Sequence, residues 1–95
     1  MNLEQLRQFK PQIEAIAQAN RAGNVRVFGS VARGDTHYAS DIDLLVTLQP
    51  GASLLDLGGL LEDLKELLGP RVDVVADDCI HPYLRDTILH DAAPL

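Results

Sequence analysis

Residues 41–48 read Asp41-Ile42-Asp43-Leu44-Leu45-Val46-Thr47-Leu48, and Val27-Phe28-Gly29-Ser30 stands upstream with ten residues between. In the first run the even positions Ile42, Leu44, Val46 and Leu48 are all apolar. Asp41, Asp43, Leu45 and Thr47 share the other face. That alternation predicts a strand over 41–48 with one face against a core. Side chains two apart in a strand point the same way, so both carboxylates leave one face. The upstream run predicts a shorter strand over 25–28, closed by Gly29.

Helical patterns flank both strands. Leu3, Leu6, Ile13, Ile16 and Ala17 recur at helical spacing, interrupted by Pro11, which lacks an N–H and suits a first turn. We expect a helix over 3–9, a second from Pro11 to about Arg21, and a stop at Gly23-Asn24. Residues 31–34 have room for a turn or two of helix, and the polar stretch 35–40 reads as a loop. Pro50-Gly51 ends the long strand. Ser53 with Asp56 three residues on fits a capping box. Leu54, Leu57, Leu61, Leu64 and Leu68 then form the buried stripe of a long helix. Gly58-Gly59 weakens its middle by about 1 kcal/mol per glycine, and Gly69-Pro70 stops it. Val72-Asp73-Val74-Val75 predicts a third strand. His81-Pro82 opens a last helix through about His90, with Leu84 and Ile88 inward. The order α-β-α-β-α-β-α, with no repeat or linker, predicts an α/β (α+β) fold with helices packed on a small sheet.

Composition narrows the function. The chain has 95 residues, which makes 1–95 one expected domain. Eight Lys and Arg stand against fourteen Asp and Glu, for a net charge of -6. Phosphate-backbone binding needs clustered cations, so direct nucleic-acid binding is not expected. The absence of Trp argues against base-stacking platforms. An acidic surface suits metal cations or a basic protein. Cys79 is the lone cysteine, which rules out an intrachain disulfide and fits a reducing cytoplasm. The start, Met1-Asn2-Leu3-Glu4-Gln5, lacks the basic and apolar regions of a signal peptide. No apolar stretch approaches the roughly 18 residues of a membrane span.

The acids carry the chemistry. Asp41 and Asp43 on one face repel and raise each other's pKa unless a cation lies between them. Asp73 sits among valines in a strand short enough to be central, where a carboxylate is costly without a partner. Magnesium takes carboxylate oxygens and completes its shell with water and substrate phosphates. Two such ions can clamp an in-line phosphoryl displacement. Gly29 lets backbone approach a ligand closely, and the Ser30 hydroxyl with the N–H groups after it suits a phosphate.

Gly29-Ser30, ten residues, then Asp41-Ile42-Asp43 resembles the signature of the DNA polymerase β-like nucleotidyltransferase superfamily. The longer run from Val27 to Gly34, with Ser40 through Val46, resembles its smallest branch, the minimal nucleotidyltransferases. Arg71-Val72-Asp73-Val74-Val75 resembles the third-acid strand, and the ending from Tyr83 to Leu89 and on to Pro94-Leu95 also resembles this branch. The resemblance implies a mixed sheet, two magnesium ions, and transfer of a nucleoside monophosphate from an NTP, here ATP, with release of pyrophosphate. It implies that Gly29 and Ser30 hold the β- and γ-phosphates and that Asp41 and Asp43 bind the metals. Asp73 would complete the cluster and help deprotonate the attacking hydroxyl. Members of this branch are often antitoxins encoded beside HEPN-domain ribonucleases, which they neutralise by adenylylating a tyrosine, by binding, or both. The implied protein is a cytoplasmic adenylyltransferase with a HEPN toxin as partner. A stoichiometric binder, or a transferase for a small molecule such as an aminoglycoside, are the competing readings.

Plainer roles are expected elsewhere. Arg33 suits a phosphate contact or a structural ion pair equally. Ser30 capping its own turn is compatible with phosphate binding. Ser40 supports the Asp41 turn, and Tyr38 is a solvated loop residue. His37, His81 and His90 lack metal-ligand spacing and read as surface or cap residues. Cys79 reads as a plain thiol.

Overall fold

The computed structural model describes residues 1–34 and 41–95. Its elements are α1 (Leu3–Arg7), α2 (Lys10–Ala19), β1 (Ala22–Phe28), α3 (Gly29–Arg33) and β2 (Ile42–Leu48). They continue with α4 (Leu54–Leu68), β3 (Val72–Ala76), α5 (Pro82–Asp91) and β4 (Ala93–Pro94). The strands form one mixed sheet in the order β3-β2-β1-β4. β1 runs antiparallel to β2 and β4, whereas β2 and β3 are parallel and joined through α4. A parallel pair needs such a crossover, because no tight turn can reverse the chain.

Local sequence explains most boundaries. Asn2 and Gln5 cap α1 reciprocally, and Ser53 with Asp56 does the same for α4, as its spacing predicts. Pro11 sits in the first turn of α2, where its missing N–H costs nothing. The helix ends at Ala19, and Gly23-Asn24 lies inside β1 rather than marking the helix stop. Asn24 has φ +47° at a bulge, where two positions on β1 face one on β2 between the Gly23–Thr47 and Arg26–Leu45 pairs. The bulge is why alternation does not carry the strand back to Ala22. β4 escaped sequence reading because two residues have no period. It pairs only with Arg26 and Val27, and its Pro94 suits an edge.

The core lies between the sheet and α1, α2 and α4. Leu6, Ile13, Ala17, Val27, Ile42, Leu44, Val46, Leu60 and Leu64 are fully or almost fully buried there. The stripe of α4 is rotated from its expected position. Leu60 and Leu64 are buried, Leu57, Leu61 and Leu68 are half-buried, and Leu54 is 74% exposed because the first turn overhangs the sheet. Gly59 has a packing reason. A Cβ there would stand 2.7 Å from the Asn20 side-chain oxygen, so the glycine lets the end of α2 approach α4. Asn20 uses that approach to donate to Asp63 at 2.9 Å.

The last helix departs further from expectation. No residue of α5 is fully buried, and Leu84 is 55% exposed rather than inward. Polar ties hold α5 instead: Arg85 donates to the Asp77 carbonyl, and Arg33 of α3 pairs with Asp91. No helix among the described residues is long and apolar enough to cross a membrane.

The sheet face opposite the main core carries a polar knot. Arg26 donates to Asp77 at 2.9 Å and to Thr47 at 3.1 Å, and the Thr47 hydroxyl donates to Asp77 at 2.6 Å. Burial alone would raise the Asp77 pKa. The hydrogen bonds from Thr47 and Arg26, with the charges of Arg26 and Arg85, outweigh it and hold the carboxyl below its ordinary value. A depressed carboxyl stabilises the fold fully above its unfolded value of 3.8, and the contribution is lost as pH falls through the lower folded value. Arg26→Met should therefore cost about 1–2 kcal/mol near neutral pH. Thermal melts should show that difference shrinking as the buffer is acidified below 3.8. A gap that stayed constant into strong acid would disprove the assignment.

Candidate active site

β2 places the central acid. Asp43 is held in register between Phe28 of β1 and Asp73 of β3. Chain entry to β2 is fixed by the Ile42 N–H, which donates to the Arg71 carbonyl at 2.8 Å. Asp41 stands immediately before β2 rather than within it, a one-residue difference from the predicted strand, and its carboxylate faces Arg71 at 3.6 Å. Sequence reading missed Arg71. Asp41 and Arg71 become neighbours only because Ile42 and Val72 are in register, and spacing along the chain carries no sign of that.

Asp73 needs a correction. β3 is an edge strand, not a central one, and Asp73 is exposed. A short all-valine context looks central, but here α4 covers one face of β3 and supplies the burial that a second neighbouring strand would have given. The carboxylate accepts the Val74 N–H at 2.9 Å and lies opposite Asp43.

Gly29 and Ser30 open α3 directly beside Asp43. Gly29 has φ +73°, a left-handed backbone that favours glycine. A Cβ at Gly29 would stand 2.5 Å from Asp43 Oδ2, so the missing side chain is what lets the turn lie against the carboxylate. Ser30 is half-buried in the first turn and does not cap it. The N-cap is Phe28, with no side-chain hydrogen bond to the helix. Gly34, at φ +80°, ends α3 after five residues. The loop over 35–40, with the expected roles of His37, Tyr38 and Ser40, lies outside the described residues.

Burial pushes the Asp43 pKa up, and the charges of Asp73 and Asp41 push it further, against a smaller pull from Arg33. The charges of Asp41 and Asp73 thus reach Asp43. Among the described residues no three acids, histidines or cysteines converge as a finished metal cage. An open set of hard oxygen donors nonetheless fits magnesium, which commonly uses one or two carboxylates and takes its other ligands from water and phosphates. Two carboxylates under mutual repulsion are a donor set that a cation relieves.

Other residues fall into plain roles. His81 caps α5 by accepting the Tyr83 N–H and stacks on the Tyr83 ring. Cys79 is exposed, and its hydrogen bond to Asp78 and that carboxylate's charge raise its pKa, which suppresses thiolate chemistry. A cleft of about 520 Å3 beside α2, the first half of β1 and β4 is lined by none of Asp41, Asp43 and Asp73.

A polymerase-like arrangement of strand, glycine turn and paired acids is thus on hand, and the chain belongs to the nucleotidyltransferase domain family, whose model matches residues 6–93. It is a nucleotidyltransferase of the minimal type. A protein of Methanocaldococcus jannaschii provisionally named protein adenylyltransferase MJ0435 is 41% identical over 92% of this chain and 94% of its own length. Protein adenylyltransferase MntA of Thermococcus cleftensis is 39% identical over 70% of this chain and 68% of its own. A solved structure provisionally described as a minimal nucleotidyltransferase matches with a TM-score of 0.85 and 44% identity. It covers 100% of this chain and 97% of the other. A toxin–antitoxin structure with AMP-PNP shares the fold, with a TM-score of 0.74 at 22% identity over 90% of this chain and 70% of that one.

Proposed function

We propose that residues 1–95 form a single minimal nucleotidyltransferase domain that moves AMP from ATP to a cognate HEPN ribonuclease toxin and so acts as its antitoxin in the cytoplasm. The observation that carries the reading is Asp43, packed against Gly29 and set opposite Asp73. The names of the relatives, protein adenylyltransferases, favour a protein as acceptor over a small molecule.

Asp41, Asp43 and Asp73 would hold magnesium, two ions in all. Bound there, the metal supplies charge neutralisation and alignment of the triphosphate. Gly29 and Ser30 present backbone N–H groups and a hydroxyl to the β- and γ-phosphates. An acceptor hydroxyl oxygen attacks the α-phosphorus, the bond to the β-phosphate oxygen breaks, and pyrophosphate leaves. The hydroxyl proton passes to the exposed Asp73 carboxylate. Catalysis of this kind is mostly alignment and charge stabilisation. A surface of net charge -6 favours a basic protein partner and disfavours nucleic acid.

The test is intact mass spectrometry of the co-expressed HEPN protein after incubation with this chain, ATP and magnesium. We expect one or more AMP moieties added to the partner. Suppressed toxicity with no added mass would overturn the transferase reading and favour stoichiometric binding.

A further inference from the structure

Asp91 is poorly placed for stability alone. It is the last residue of α5, where a carboxylate meets the negative end of the helix dipole. Its side chain is only 15% exposed, so it also loses hydration. What holds it is Arg33, whose guanidinium donates to Asp91 Oδ2 at 2.7 Å.

Arg33 in turn belongs to the turn that meets Asp43. It stands four residues after Gly29, one turn along α3, so both share a face of the helix. Gly29 abuts Asp43 on that side. The guanidinium charge is felt at Asp43, where it opposes the raising effects of burial and the neighbouring acids. An Arg on a flexible stem would lose rotamer freedom to stay there, and a second anchor removes that cost before substrate arrives.

We propose that Asp91 is a positioning residue for nucleotidyl transfer: from the end of α5 it fixes the Arg33 guanidinium on the Gly29–Asp43 side of α3. The inference rests on the transferase reading and adds to it a residue acting from the far end of the chain. α5, none of whose residues is fully buried, is thereby tied to the catalytic turn.

The experiment follows pyrophosphate release by this chain with ATP, magnesium and the co-expressed HEPN protein, below the melting temperature of every variant. Asp91→Ala should lower kcat about tenfold or more, since misplacement of a group remote from the chemistry has effects of this order. Asp91→Glu should restore most of it. In an Arg33→Ala background the Asp91→Ala change should do nothing further, because the carboxylate acts through that guanidinium. Should Asp91→Ala fail to fold, the isosteric Asp91→Asn is read in the same way. Wild-type turnover with unchanged kcat in the Asp91 variants, or losses that multiply with Arg33→Ala, would overturn this inference alone. A wild-type protein without turnover would overturn the transferase reading and this inference with it.

Discussion

Gly29→Val is expected to lower AMP transfer by about a hundredfold or more while the partner still binds. Two effects act together. At φ +73° any L side chain is strained, and a β-branched one most of all. The added Cβ also meets Asp43 Oδ2 at 2.5 Å, so either the turn or the carboxylate must move. Both are parts of the proposed site, and in-line transfer is sensitive to displacements of an ångström. Gly34→Ala separates the two effects. It suffers the same kind of strain at φ +80°, yet a Cβ there meets nothing within 4 Å. It should lower stability by about 1–2 kcal/mol and keep most of the transfer. Mass addition by Gly29→Val at the wild-type rate would remove Gly29 from the site.

The strands that hold the site are legible because alternation is a one-dimensional signal. Ile42, Leu44 and Val46 are buried as their period requires, and the α4 cap at Ser53 and Asp56 is spelled out within four residues. Leu45 shows the limit of that signal. It shares the face of the acids yet is wholly buried. What depends on strand order is not legible. The edge position of Asp73, the Asp41–Arg71 contact and the Arg33–Asp91 pair all need the sheet assembled first. The helical stripes misled for a related reason. Leu54 and Leu84 fit a helical period, but a period does not say how far the helix overhangs what it packs on. α5 in particular buries no residue fully and is tied down by two arginines, one hydrogen-bonded and one ion-paired.

Replacing both paired acids should separate ligand binding from folding. With Asp41→Asn and Asp43→Asn, the protein should fold without ligand, add no detectable AMP, and show no thermal shift with ATP and magnesium. The wild-type shift is large: ligand at a hundredfold excess over its dissociation constant stabilises by about 2.7 kcal/mol, or roughly 10–20 °C for a domain of this size. The unliganded protein gives the opposite sign. The Asp43 carboxyl in the fold keeps its proton to a higher pH than the unfolded value of 3.8. The native state therefore binds more protons as pH rises from 3.8 to the folded value, and stability falls across that window and stays lower above it. Near neutral pH, Asp43→Asn should melt above the wild type when no ligand is present. Below pH 3.8, where the carboxyl is protonated in both states, the two should converge. Raised melting temperature without ligand and a vanished shift with it mark a site built for a cation at some expense to the empty fold. A wild-type-sized shift in the double variant would place the nucleotide elsewhere.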